Sequence, residues 1–219
     1  MRKNSQLAII PAFNESKNIA RTISKIPLCV DIVVIDDGST DNTRSQCKGP
    51  NVALLYHVRN LGYEAALNSG ITYFVEQEYD KFVVIDADGE IEPADAIALL
   101  NSVSEQKPIG CGYRVDHRGR LSERLISTFS KNLFGINDVY CGCKAFHKVV
   151  VNPKNYSSVA ANFFTQFIIL QSKKINVINK PVHGRKRHEA SSFGNGMRVE
   201  LSLVKKFIGS CVAYLFNQK

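Results

Sequence analysis

Short apolar runs recur along the first half of the chain, each bounded by a turn residue or an acid. They fall at residues 7–10, 32–35, 52–56, 82–85 and 109–113, and they are rich in Val and Ile. Runs this short, without polar alternation, predict strands buried on both faces. Helical spacing fills the gaps. One helix is predicted over about residues 15–26, with Asn14 as its cap and Pro27 past its end, and Thr40 or Asp41 caps a short one. Two more are expected, at residues 62–76 and from Pro93 to about residue 105. Strands alternating with such helices predict an α/β chain, a Rossmann-like, doubly wound and mainly parallel sheet.

Past residue 113 the rhythm changes. Residues 121–134 form an amphipathic pattern carrying Arg124 and Asn132, residues 139–146 read as a strand, and residues 162–172 as an apolar helix. A last strand is expected at residues 174–182, followed by a Gly/Ser/Arg run at 184–194 that reads as a loop of cationic donors. Met197, Leu201, Val204, Ile208, Val212 and Leu215 keep helical spacing, with Lys205 and Lys206 on another face. The chain carries no internal repeat.

Ligands on doubly wound sheets bind beyond the carboxyl ends of the strands. Three separate strand ends deliver polar residues there: Asn14-Glu15, Asp36-Asp37, and Asp86-Ala-Asp88-Gly-Glu90. In an extended segment Asp86, Asp88 and Glu90 would point one way and repel each other unless a cation sat among them. Hard oxygen ligands suit Mg²⁺ or Mn²⁺, which recruit phosphates. The alternative is a solvated loop whose acids cap the helix that Pro93 begins. The convergence of three unrelated segments favours a ligand site.

Composition bounds the rest. A chain of 219 residues, 44% hydrophobic and 22% charged, can bury a full core and is read as one domain. Its N-terminus lacks the apolar stretch of a signal peptide, and no run approaches the roughly 20 apolar residues of a membrane span. Six cysteines without scaffold spacing fit a reduced, cytoplasmic protein. Cys141-Gly-Cys143 has no second pair to complete a zinc site. The net charge of +8 is uneven: residues 1–138 carry 15 Lys and Arg against 18 Asp and Glu, and residues 139–219 carry 13 against 2. A basic part following an acidic one suits an anionic ligand, or peripheral contact with an anionic membrane on its cytoplasmic face.

Four motifs in order now carry a resemblance: Ile10-Pro-Ala-Phe-Asn-Glu15, Val33-Val-Ile-Asp-Asp-Gly-Ser39, Arg59-Asn-Leu-Gly62 and Ile85-Asp-Ala-Asp88. Together they resemble family 2 glycosyltransferases, in particular the polyprenyl- or dolichyl-phosphate sugar synthases. The likeness implies a glycosyltransferase A fold binding a UDP- or GDP-linked sugar, a divalent metal, and inversion at the sugar. Carried over by position, Pro11, Phe13, Glu15, Asp36, Asp37, Asn60 and Gly62 would belong to the nucleotide pocket. Asp86, Asp88 and Glu90 would hold the metal-diphosphate, and Arg185 and Arg187 would close over it. By the same likeness residues 1–113 form the donor half, 114–196 the acceptor side, and 197–219 an amphipathic helix. A polyprenyl phosphate would enter beside Arg114, Arg124 and Asn132.

Many members that build polysaccharides use a Glu-Asp pair as base in the second half. Here the acids after Asp138 are Glu189 and Glu200, neither beside an Asp. A sugar hydroxyl needs a base, whereas a lipid phosphate is already ionised, so the phosphate is the favoured acceptor. Asp138 is the fallback base for a saccharide hydroxyl. Cys-Gly-Cys-Lys-Ala-Phe146 replaces the subgroup's usual Ser-Gly-Phe. Two rivals remain: a nucleotidyltransferase, whose Gly-rich basic first loop is missing, and a non-catalytic binder of anionic surfaces. Nucleic acid is not expected as a partner, because Phe163, Phe164 and Phe167 read as a buried helix face rather than stacking platforms.

Overall fold

A computed structural model of the chain describes residues 5–115, 121–151 and 174–184. It also describes Ile168, Ile169, Gln171, Ser172, Leu201, Val204, Lys205, Phe207, Ile208, Gly209, Cys211 and Val212. Seven strands, β1 (Gln6–Ala12), β2 (Asp31–Asp36), β3 (Val52–Tyr56), β4 (Lys81–Val84), β5 (Ile109–Arg114), β6 (Lys144–His147) and β7 (Ile178–Val182), form one sheet. Their spatial order is β3-β2-β1-β4-β6-β5-β7. All pairings are parallel except those of β6, which runs antiparallel to both β4 and β5.

Helices α1 (Ile19–Ser24), α2 (Thr43–Gln46), α3 (Tyr63–Glu76), α4 (Pro93–Ser102) and α5 (Leu121–Phe134) join them. Strand alternation divides the core. Leu7 and Ile9 face a cluster with Leu67, Ile71 and Phe74 of α3 and Ile126 of α5. Ala8 and Ile10 face Ile19 and Ile23 of α1 and Leu99 and Leu100 of α4. The rings of Phe74 and Phe146 flank Phe82 at 4.7 and 5.3 Å, so truncating Phe82 to Ala would cost about 3–5 kcal/mol.

Several boundaries differ from the expected ones for local reasons. Strand β1 continues through Pro11, which lies past the last β1–β4 pair, Ile9 with Val84, where no neighbour needs the missing N–H. Helix α1 begins at Ile19 rather than near residue 15, because the backbone N–H groups of Asn14, Glu15 and Ser16 are held by side chains of the next loop. Helix α4 stops at Ser102, and β7 begins at Ile178. Only Lys144–His147 of the strand expected at 139–146 is extended. The helix expected at 162–172 and the loop at 184–194 lie mostly outside the described residues. Leu201, Val204, Lys205, Phe207, Ile208, Gly209, Cys211 and Val212 are helical, as expected. Among the described residues, no helix is long and apolar enough to cross a membrane.

Candidate active site

The carboxyl ends of β1 and β2 lead into two loops that are stitched together. Asn14 adopts φ 56°, a left-handed conformation that Asn tolerates, and its N–H donates to Ser39 Oγ at 2.9 Å. Its own Oδ1 accepts the Thr40 N–H at 2.9 Å. The Glu15 and Ser16 N–H groups donate to Thr43 Oγ1 and Asp41 Oδ2 at 2.7 and 3.1 Å. Burial acts to raise the Asp41 pKa, yet the hydrogen bonds from Thr43 and Ser16 bring it down to about 2. Asn14 is thus a loop clamp and not a helix cap. Phe13 is exposed and Glu15 partly so, with Glu15 Oε2 accepting from Asn18 at 3.0 Å. Pro11 is buried beneath them.

The acid pair after β2 works inward. Asp36 is fully buried; its Oδ1 accepts the Ser39 N–H and its Oδ2 pairs with Arg44 at 2.7 Å. Arg44 in turn stacks over Tyr56 at 4.3 Å. Asp36, expected from the likeness in the nucleotide pocket, is therefore buried and spent on its own loop, on the Ser39 N–H and Arg44. Asp37 is nearly buried and holds the third loop. It accepts the Leu61 and Gly62 N–H groups at 2.9 and 2.8 Å and meets His57 Nδ1 at 2.6 Å. His57 Nε2 reaches Ser69 Oγ at 3.0 Å. Asn60 is exposed, and Gly62, at φ 95°, caps the start of α3. Gly38 permits the approach, since a Cβ there would lie 2.5 Å from the Asn60 nitrogen.

The segment after β4 is a turn rather than an extended strand, with Gly89 at φ 70°. The extended conformation expected there is absent, so strand alternation does not set the directions of the three carboxylates. The Glu90 N–H closes onto Asp88 Oδ1 at 2.9 Å. Asp86 Oδ1 accepts the hydroxyl of Tyr63, the first residue of α3, at 2.8 Å. Burial, and then the charge of Asp86, push the Tyr63 phenol well above its ordinary range, so Tyr63 stays a donor. Among the described residues, no three Asp, Glu, His or Cys side chains are grouped to hold an ion by themselves.

Arg114, at the end of β5, is a hub. It meets Asp138 through Nε at 2.8 Å and Nη2 at 3.2 Å, Glu123 of α5 at 3.3 Å, and Glu90 at 4.0 Å. Burial opposes ionisation of Asp138, but the hydrogen bonds and charge of Arg114, with Lys144 behind them, leave its carboxyl below the usual range. Asp138, the fallback base expected for a hydroxyl acceptor, thus has both its oxygens engaged by Arg114. Lys144, buried at the start of β6, donates to the Cys141 carbonyl at 2.8 Å. Gly142 packs directly on Asp86. Arg124 and Asn132 are exposed on α5, and it is Glu123 that reaches Arg114. Arg185 and Arg187 lie outside the described residues. The chain enters their run from Gly184, which bridges Ile91 beside Glu90.

The contacts thus pass from loop to loop along one sheet edge; Arg114 joins Glu90, Glu123 and Asp138, while Asp86 meets Tyr63 and Asp88 closes the turn. Tyr63, His57, Arg44, Glu123 and Gly142 were not singled out from sequence. Only Gly142 carried a signal, the glycine between two cysteines.

The chain has counterparts among known proteins. Polyprenol monophosphomannose synthase of Mycolicibacterium smegmatis is 26% identical over 223 aligned residues, spanning 91% of this chain and 84% of that protein. Undecaprenyl-phosphate mannosyltransferase of Micrococcus luteus is 31% identical over 159 residues, covering 64% of this chain and 65% of its own. Among solved structures, glucosyl-3-phosphoglycerate synthase of Mycobacterium tuberculosis with uridine diphosphate superposes with a TM-score of 0.72 at 18% identity, over 94% of this chain and 80% of that one. That neighbour shares the fold, and another structure of it holds Mn²⁺ with the nucleotide. The profile of glycosyl transferase family 2 matches residues 7–152, the stretch that holds the loops after β1 to β5. The chain belongs to glycosyl transferase family 2 and is a glycosyltransferase.

Proposed function

We propose that this glycosyltransferase moves a sugar from a nucleoside diphosphate to a polyprenyl phosphate, with inversion and with the help of a divalent cation. The observation that carries the acceptor class is the pairing of Asp138 with Arg114. A hydroxyl acceptor must lose a proton to a base, and Asp138 is committed to a buried guanidinium. An acceptor that arrives ionised needs no such group. The names of the mycobacterial and Micrococcus relatives agree with a lipid phosphate.

The stitched loops of β1, β2 and β3 form the nucleoside side, with Phe13, Glu15 and Asn60 at its surface and Asp37 holding the third loop beneath it. The residues of the β4 turn fit a hard cation. Carboxylates outnumber the cationic side chains that the described contacts bring among them, and Mg²⁺ or Mn²⁺ needs only one or two protein carboxylates when phosphates supply the rest. Asp88 and Asp86 would hold it, with Glu90 beside them. Such a cation offsets the charge that builds on the departing diphosphate. The acceptor's phosphate oxygen attacks the anomeric carbon from the face opposite the diphosphate. One carbon–oxygen bond forms as the other breaks, and the nucleoside diphosphate leaves. By the family likeness Arg185 and Arg187, which follow Gly184 in the sequence, would supply further positive charge to that leaving group. Arg114 is a positioning residue that ties the β4 turn to α5 and the Asp138 loop.

A panel assay tests the reading. UDP- and GDP-sugars are incubated with polyprenyl phosphate or with soluble saccharides, with and without Mn²⁺. Metal-dependent label in the lipid-phosphate fraction is the expected result, and the product's anomeric configuration should be opposite to the donor's. Label confined to saccharide products would replace the acceptor and keep the enzyme class.

A further inference from the structure

Strand alternation sends the side chains at the end of β3 to opposite faces of the sheet. Tyr56 turns toward α2, where Arg44 stacks on it. His57 turns toward α3, on the face where Ala53 and Leu55 join the core. Helix α3 lies close there because residue 70 is glycine: a Cβ would stand 2.4 Å from Ile9 Cγ2 and 3.0 Å from Ile35 Cδ1. That close seat brings its neighbour Ser69 within 3.0 Å of His57 Nε2.

The imidazole is a bridge with both ends engaged. Nδ1 faces Asp37 Oδ1 at 2.6 Å, so Nδ1 carries the proton and Nε2 accepts from the Ser69 hydroxyl. A doubly protonated ring would donate at both ends, so the bridge survives in either charge state. The side chains of His57 and Asp37 are 13% and 5% exposed. Among the described residues, His57 supplies the side-chain donor to Asp37, and the Leu61 and Gly62 N–H groups supply the other two. Without the ring, a buried carboxylate would be one donor short.

An Asp-His-Ser row activates a nucleophile in hydrolases. Here it braces instead. Ser69 lies in the body of α3, where each backbone N–H is spent on a carbonyl four residues back and none is left for an oxyanion. The row joins three elements: Asp37 follows β2, His57 follows β3, and Ser69 belongs to α3. The loop of residues 57–62 carries the exposed Asn60 and leads into Tyr63, whose hydroxyl holds Asp86. His57 pins one end of that loop, and the two amides on Asp37 pin the other.

We infer that His57 is a positioning residue for the sugar-nucleotide donor: by bridging Asp37 to Ser69 it sets the 57–62 loop, and Asn60 on it, at the nucleoside side. The inference rests on the nucleoside assignment of these loops. It requires no contact between His57 and the donor.

The test is calorimetry on the whole chain with Mn²⁺, titrating UDP and GDP and following the tighter of the two. His57→Phe deletes both bonds and should raise Kd about tenfold. His57→Asn keeps a donor in the place of Nδ1 and should hold the rise to about threefold. Ser69→Ala removes the same Nε2 bond from its other end, so it should match His57→Asn, and the double variant should be no weaker than either. A merely structural ring would lower the melting temperature and the binding stoichiometry of His57→Phe and leave Kd in place; that result overturns the inference. So does a His57→Asn that binds as weakly as His57→Phe. Should His57→Phe not fold, an unchanged Kd in both His57→Asn and Ser69→Ala overturns it equally. Asn60→Ala reads the nucleoside assignment by itself: a weakened Kd there, beside unchanged His57 and Ser69 variants, rejects the inference and keeps the assignment. Wild type that binds neither nucleotide rejects both.

Discussion

A Cβ built on Gly142 would stand 2.0 Å from Oδ2 of Asp86. A side chain at residue 142 would take the place of the Asp86 carboxylate, so the loop before β6 lies on the β4 turn with Asp86 undisturbed because residue 142 is glycine. The expected consequence of Gly142→Ala is a displaced Asp86 carboxylate in a folded protein. Overpacking of this kind costs about 1–3 kcal/mol. Steady-state kinetics should show kcat/KM down at least tenfold, with circular dichroism unchanged; near-wild-type kinetics would contradict the assignment of Asp86.

Asp88 has a more direct role. In Asp88→Asn the turn can still close, because an amide oxygen also accepts the Glu90 N–H that Asp88 Oδ1 takes at 2.9 Å. Turnover should fall below detection while the melting temperature holds. Nucleotide affinity, measured by calorimetry, should become insensitive to EDTA. Full activity in this variant would remove the cation from the β4 turn.

Tyr63→Phe separates orientation from ligation. It deletes only the 2.8 Å hydroxyl donor to Asp86 Oδ1. A hydrogen bond to a charged group is worth about 1.5–3 kcal/mol, so Mn²⁺ titration in the presence of nucleoside diphosphate should shift by roughly tenfold or more. Nucleotide binding without metal should be little changed. Equal losses in both titrations would make Tyr63 merely structural.

The Arg114 hub predicts an acid-sensitive fold. The Asp138 carboxyl titrates lower in the folded chain than the usual value near 3.9. Its contribution to stability is therefore fully present above about pH 4 and is lost as pH falls through the lowered folded value. Asp138→Asn should cost about 3–5 kcal/mol at pH 7, because Arg114 keeps its burial and loses its two-point partner. Urea midpoints of wild type and variant should converge on acidification below pH 4. A difference that stays constant down to pH 2 would show that the pair does not titrate with folding.

The strands were legible because buried parallel strands need unbroken apolar runs, and residues 7–10, 32–35 and 82–85 are such runs. The ligand edge followed from the polar residues at their ends. What stayed hidden was the partner of each polar group. Nothing in Asp36-Asp37 says that one carboxylate will pair with Arg44 and the other will hold the Leu61 and Gly62 amides. Helix α1 lost its first turn to Ser39, Thr43 and Asp41, which are more than twenty residues away. The direction of β6 was equally out of reach, since Lys-Ala-Phe-His has the same propensity read either way.

That reversed strand has a further consequence. Because β6 is antiparallel to β5, the chain leaves the sheet at Arg114 and rejoins it at Lys144 on one and the same edge, the Gly112 N–H meeting the Cys143 carbonyl at 2.9 Å. The stretch between those two points therefore returns to the edge it left, but it is moored there: Ile126, Phe134, Ile136 and Val139 pack in the core, and Glu123 and Asp138 hold Arg114. A graft of residues 115–143 from a relative should leave the strand registers in place only if it keeps those apolar positions, the two acids and Gly142.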